Sequence, residues 1–199
     1  MGAEPGVMST SSGPERPEGR HRLWVDALGR GMPEAGWLLV VDVDAQRMDA
    51  LRGGEVRASY AVSTSAHGLG DVPGSFKTPP GWMRVVERYG QGLPPGTEFS
   101  SRQVTGRIWP ESAWRGGEDK DRILSRILWL DAVGGDGRDS FKDRTIYLHG
   151  TNHEELLGTP ASHGCIRMAN RDIVELDGEI GDDPVWCWVG CLADLCREG

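Results

Sequence analysis

Twenty-nine glycines and twelve prolines cut this 199-residue chain into short pieces, and that punctuation limits the fold more than any other feature. Glycine and proline weaken the interiors of helices and favour turns, so long helices are disfavoured over most of the length. The pieces between them are mostly β-prone. Gly36 to Val43, GWLLVVDV, is an apolar run closed by a turn at Asp44–Arg47 and reads as a buried strand. Met48–Leu51 follows as a second strand, Arg52-Gly53-Gly54-Glu55 as a hairpin turn, and Val56–Ser63 as a third strand. Further strands are expected at Met83–Arg88, Arg107–Trp109, Thr145–Leu148 and Val185–Val189, while Arg122–Leu130 fits a helix or a strand by pattern alone. One helix is expected, with Asn170 as N-cap, Asp172 in its first turn, Ile173, Val174, Leu176 and Ile180 on one face, and Gly178 and Gly181 near its end. Short strands with turn signals and a single helix define a mainly β class, a sandwich or barrel-like domain.

The length suits one domain with a full core. Residues 1–35 form an N-terminal segment, disordered through residue 20 by composition and extended or helical beyond it. Residues 36–190 form the domain, and 191–199 a C-terminal appendage. The net charge of −8 argues against nucleic acid as the main partner. No run is long enough to span a membrane. The N-terminus lacks the apolar core of a signal peptide, and a start at Met8 or Met32 exposes none.

Chemistry concentrates between Ile146 and Met168, IYLHGTNHEELLGTPASHGCIRM, which holds three of the five histidines and Cys165. A thiol becomes a good nucleophile at neutral pH beside a base or a cation. Two bases are candidates. His163 lies two residues before Cys165 and shares its face on an extended segment, and His149 ends a β-prone run that can lie alongside. Sequence geometry does not choose between them. Gly164 permits a sharp turn at which adjacent N–H groups face one oxyanion. A zinc site built from His149, His153, His163 and Cys165 is the rival reading. It lacks the Glu of the helical zinc-protease motif, and Gly150 disfavours that helix. Cys187, Cys191 and Cys196 read as buried or incidental thiols rather than metal ligands.

His149-Gly150, a variable loop, then Ser162-His163-Gly164-Cys165-Ile166-Arg167 resembles the signature of the L,D-transpeptidase catalytic domain, the YkuD family. The opening order of strand, Asp-x-x-x-Gln-Arg, strand, glycine turn and strand is similar to that family as well. So is Val72-Pro73-Gly74-Ser75-Phe76, which stands near where the family has Thr-Pro-x-Gly-x-Phe and by itself is a turn. The resemblance implies a β-sandwich or barrel-like fold with one helix after the cysteine and a lid insertion. That lid is expected within Gly81–Asp119, where Trp82, Trp109 and Trp114 are read as packing residues. It implies Cys165 as nucleophile and His149 as base, the other ring nitrogen of His149 being held by a backbone carbonyl, that of Gly150. Gly164, His163 and Gly150 serve the oxyanion and positioning, and no metal or cofactor is needed.

Arg167 is a candidate for a substrate carboxylate, with a salt bridge to Asp172 or Glu175 as the alternative. Arg126 and Arg144 are weaker candidates, and His67 and His153 read as loop residues. The implied substrates are peptidoglycan stem peptides with an amine acceptor, a second stem or a lipoprotein lysine. A carboxypeptidase, and a wall-binding module without catalysis, are the alternatives. The implied place is the periplasm or cell wall, against which the missing signal peptide leaves the cytoplasm open.

Overall fold

A computed structural model describes residues 35–116, 120–133 and 142–192. The N-terminal segment through residue 34, the appendage from residue 193, and Cys196 with it, lie outside the described residues.

Among the described residues, ten strands and one α-helix make the fold. They are β1 (Trp37–Asp42), β2 (Arg47–Arg52), β3 (Glu55–Ser63), β4 (Gly81–Tyr89), β5 (Thr97–Ser100), β6 (Gln103–Ile108), β7 (Ile123–Ala132), β8 (Tyr147–Gly150), β9 (Ile166–Met168), α1 (Asn170–Ile180) and β10 (Val185–Gly190). The order β4-β10-β1-β2-β3-β9-β8-β7 closes through a β7–β4 pairing into an eight-stranded barrel. Closure removes both sheet edges. The β5–β6 hairpin stays outside the circle and hangs from β7, where Glu98 pairs with Leu124 and Phe99 with Ile123. Most neighbours are antiparallel. The exceptions are β1 with β10 and β8 with β9.

Every residue of β1 is buried because its two faces serve different clusters. Leu39 and Val41 join the central core, and Leu38 and Val40 pack with Leu51 and Trp188. Helix α1 adds Ile173, Leu176 and Ile180 to the central core, a spacing that puts all three on one stripe. Burying each such side chain stabilises by about 1.5–3 kcal/mol.

The structure settles the pattern of Arg122–Leu130 as strand β7. Nine of its ten residues are buried, so no alternation was there to be read. Asn170 is the first residue of α1, not its N-cap. Ala169 holds that place without a side-chain cap. The Asn170 side chain instead accepts from Ser125 Oγ at 2.6 Å and donates to the Thr151 carbonyl at 2.6 Å and to Glu154 Oε1 at 2.9 Å. Gly178 lies inside the helix, which ends at Gly181. Trp109 and Trp114 are buried against Leu124, the Trp114 indole donating to the Trp109 carbonyl at 3.1 Å. Trp82, on β4, packs on the second cluster.

The Thr-Pro-x-Gly order occurs at Thr78-Pro79-Pro80-Gly81, where Gly81 opens β4, rather than at residues 72–76. The latter are an exposed turn, with Val72 69% and Phe76 58% exposed.

Candidate active site

The parallel register of β8 and β9 sets Leu148 opposite Ile166 and His149 opposite Arg167. Side chains alternate along each strand. Leu148, Ile166 and Met168 enter the central core. Tyr147, His149, Cys165 and Arg167 therefore share the other face, Cys165 standing one residue before β9. The thiol packs against the cluster of Phe99, Ile127, Trp129 and Tyr147. A bulge in β7 between Leu124 and Ile127 lies opposite His149 and Gly150. Bulges of this kind re-aim side chains beside functional sites. Ser125 in this bulge has φ +67, and its hydroxyl accepts the Gly96 N–H at 2.9 Å.

His149 is 2% exposed. Its Nδ1 lies 2.7 Å from the Gly150 carbonyl oxygen. A carbonyl only accepts, so Nδ1 carries the hydrogen and Nε2 keeps its lone pair. Burial lowers the pKa of His149 from 6.5, with the Arg167 charge adding to that; Asp121 and the Gly150 bond oppose it. The ring is neutral at pH 7.

Burial pushes the Cys165 thiol up to about 11; the Asp121 charge adds to this, while the Tyr147 N–H and Arg167 oppose it. Cys165 Sγ is 3.6 Å from the Thr145 carbonyl oxygen, to which the thiol can donate. A protonated thiol and a neutral imidazole thus share one face, which suits proton transfer during attack rather than a preformed ion pair.

The turn before Cys165 is closed by its own hydroxyl. Ser162 Oγ accepts the Gly164 N–H at 3.2 Å and donates to the Cys165 carbonyl at 2.5 Å. Gly164 has φ +122, a conformation that L side chains rarely adopt. His163 is exposed, its ring centroid 6.3 Å from His67 and 6.2 Å from Phe76. His153 turns to Glu155, with Nδ1 3.1 Å from Oε1.

The three arginines singled out in the sequence have protein partners. Arg167, 2% exposed, pairs with Asp121 rather than with Asp172 or Glu175: Nε is 2.9 Å and a terminal nitrogen 2.7 Å from Asp121 Oδ2. Its remaining terminal nitrogen is buried and has no partner among the described residues. Arg126 binds Asp177 Oδ2 at 3.1 Å and the Leu93 and Ser125 carbonyls. It lines a depression of about 510 Å³ with Arg88, Gln91, Asp177 and Gly181, a set that contains neither Cys165 nor His149. Arg144 donates to the Gly70 carbonyl at 3.0 Å and the Lys77 carbonyl at 2.6 Å.

Sequence reasoning missed three neighbours of the site. Asp121 carries no motif signal. Thr78 does, through Thr-Pro-x-Gly. Arg102, in the turn of the β5–β6 hairpin, reaches Tyr147 Oη at 3.0 Å and lies 4.3 Å from the Trp129 ring centroid.

The closed barrel sets His149, on β8, and Cys165, directly before β9, at one pair of parallel neighbours. The family model described as the L,D-transpeptidase catalytic domain (YkuD) matches residues 36–185, and the chain belongs to that family. It is 44% identical over 86 residues to the putative L,D-transpeptidase YqjB of Bacillus subtilis, a match covering 42% of this chain and 45% of the relative. The chain thus spans less than half the length of that relative. Among solved structures it is similar to an L,D-transpeptidase from Xylanimonas cellulosilytica, with 19% identity, 85% of this chain and 68% of that one covered, and a TM-score of 0.47. It is also similar to L,D-transpeptidase 3 from Mycobacterium tuberculosis bound to a faropenem-derived adduct, with 16% identity, 77% and 60% covered, and a TM-score of 0.46. Among the described residues no helix is long and apolar enough to cross a membrane.

Proposed function

We propose that this protein is a cysteine acyltransferase of the L,D-transpeptidase type, with Cys165 as nucleophile and His149 as base. The observation that carries the reading is the 2.7 Å contact of His149 Nδ1 with the Gly150 carbonyl, which leaves Nε2 as acceptor on the face that Cys165 shares. The donor is a peptidoglycan tetrapeptide stem, and the bond attacked joins the L-centre of a diamino acid to terminal D-Ala. The Cys165 sulfur bonds to that carbonyl carbon as the thiol proton passes to His149 Nε2. The C–N bond breaks, the D-Ala amine takes the proton from His149, and a thioester remains on Cys165.

An amine acceptor then attacks the thioester. His149 takes its proton and returns it to the sulfur as the thiolate leaves. A second stem as acceptor gives a cross-link, a lipoprotein lysine gives an anchor, and water makes the same site a carboxypeptidase. The cycle needs no cofactor, because the thioester keeps the acyl group activated. The oxyanion is taken by backbone N–H at the Gly164–Cys165 turn. The substrate places the work at the wall side of the membrane.

Intact-protein mass spectrometry with a disaccharide-tetrapeptide tests this, with Cys165→Ser alongside. The expected result is a mass gain equal to the donor minus D-Ala, absent in the variant. Turnover retained in Cys165→Ala would sink the thiol mechanism. A folded protein with neither adduct nor released D-Ala would favour the wall-binding module.

A further inference from the structure

Cys165 sits at the end of a turn, and a turn by itself does not hold a peptide plane steady. A buried strap under it does. Thr78 is fully buried, and its backbone is pinned on both sides, its N–H donating to the Gly68 carbonyl and its carbonyl accepting the Gly70 N–H, both at 3.0 Å. Its hydroxyl accepts the Ser65 N–H at 3.0 Å, which directs the hydroxyl hydrogen to the Gly164 carbonyl, 3.1 Å away. The same loop meets the nucleophile turn through the Ala66 N–H and the Ser162 carbonyl, and Arg144 clamps it at Gly70 and Lys77.

A trans peptide points its C=O and its N–H in opposite directions. Anchoring the Gly164 carbonyl therefore also aims the N–H of Cys165. The Gly164 N–H is already bonded to Ser162 Oγ, so the aim of the Cys165 N–H matters all the more.

We propose that Thr78 is a positioning residue for acyl transfer: its hydroxyl holds the Gly164–Cys165 peptide so that the Cys165 N–H faces the oxyanion. The inference rests on the acyltransferase reading above, and its test is built to fail separately. Two small electrophiles react with the same sulfur. Iodoacetamide alkylates by displacement of iodide, with no oxyanion. p-Nitrophenyl acetate acylates through one, with loss of p-nitrophenolate. Rates are measured at Cys165 by peptide mapping in the wild type, Thr78→Val and Thr78→Ser.

Acylation in Thr78→Val is expected to fall by about 10- to 100-fold while alkylation stays within about twofold, and Thr78→Ser recovers most of the loss. With the tetrapeptide the loss falls on kcat and leaves KM nearly unchanged. Equal acylation in wild type and Thr78→Val overturns the proposal. So does a parallel loss of both reactions that Thr78→Ser fails to rescue, which is the mark of general damage. A wild type that reacts with the ester but not with the tetrapeptide sinks the donor assignment and leaves the Thr78 test standing.

Discussion

Arg167 and Asp121 form a two-point pair at 2.9 and 2.7 Å, directly across the β8–β9 boundary from His149. The arginine is buried and the carboxylate is partly open, so the pair is a wall of the site as well as a tie between β9 and the segment before β7. Replacing Asp121 by Asn leaves a buried guanidinium without its counter-charge. A loss of about 1–3 kcal/mol is expected, read as a lower denaturation midpoint. The Asp121 charge raises the pKa of both Cys165 and His149, so its removal lowers both. The half-point of Cys165 alkylation against pH is expected to move down in Asp121→Asn. An upward move would contradict this electrostatic account.

The wild-type thiol is itself a test. With its pKa pushed up to about 11, Cys165 alkylation by iodoacetamide should climb about tenfold per pH unit between about pH 7 and 10. A plateau by about pH 8.5 would mean a preformed thiolate–imidazolium pair instead.

His149 links the site to stability. Its folded pKa lies below its unfolded value of 6.5, so the unfolded chain binds the extra proton. Its stabilising contribution is complete above pH 6.5 and is lost as the pH falls from there toward the folded pKa. Denaturant titrations of wild type and His149→Gln should diverge in slope below about pH 6.5, by at most about 1.4 kcal/mol per pH unit. Parallel curves would show that the imidazole is not buried neutral.

Asp177 takes two guanidinium groups. Arg88 Nε donates to Oδ1 at 2.7 Å and Arg126 Nε to Oδ2 at 3.1 Å, and Arg88 also donates to the Gly181 carbonyl at the end of α1. Asp177→Ala strands both cations and is expected to cost about 3–5 kcal/mol. Acyl transfer per folded molecule should hold. A change in KM with unchanged stability would instead assign Arg126 to substrate.

Gly150 has no room for a side chain. A Cβ there would meet Asn170 Oδ1 at 2.4 Å and the Leu124 carbonyl oxygen at 2.8 Å. Gly150→Ala should cost about 1–3 kcal/mol and slow acylation by displacing the carbonyl that orients His149. Wild-type stability and rate would show that the β7 bulge yields without strain.

Much of the barrel was legible along the chain because strand-forming runs and their turns are local. Trp37–Asp42 and Glu55–Ser63 stand where hydrophobic runs and Gly53-Gly54 put them. The short β5 and β9 were not legible, since four and three residues carry no period of their own. The same limit hid the helical or extended state of residues 122–130, a run buried on both faces.

The sequence by itself determined the residue types and their order: a thiol after Ser-His-Gly, an imidazole ending a β-prone run, and a glycine after both His149 and His163. Only the tertiary structure decided which groups meet. Parallel pairing of β8 and β9 sets His149 on the face of Cys165, while His163 stays exposed beside His67 and Phe76. Arg167 finds Asp121 across 46 residues of chain, and Thr78 finds Gly164 across 86. Propensity and spacing act over a few residues, and contacts at those separations exist only once the barrel has closed.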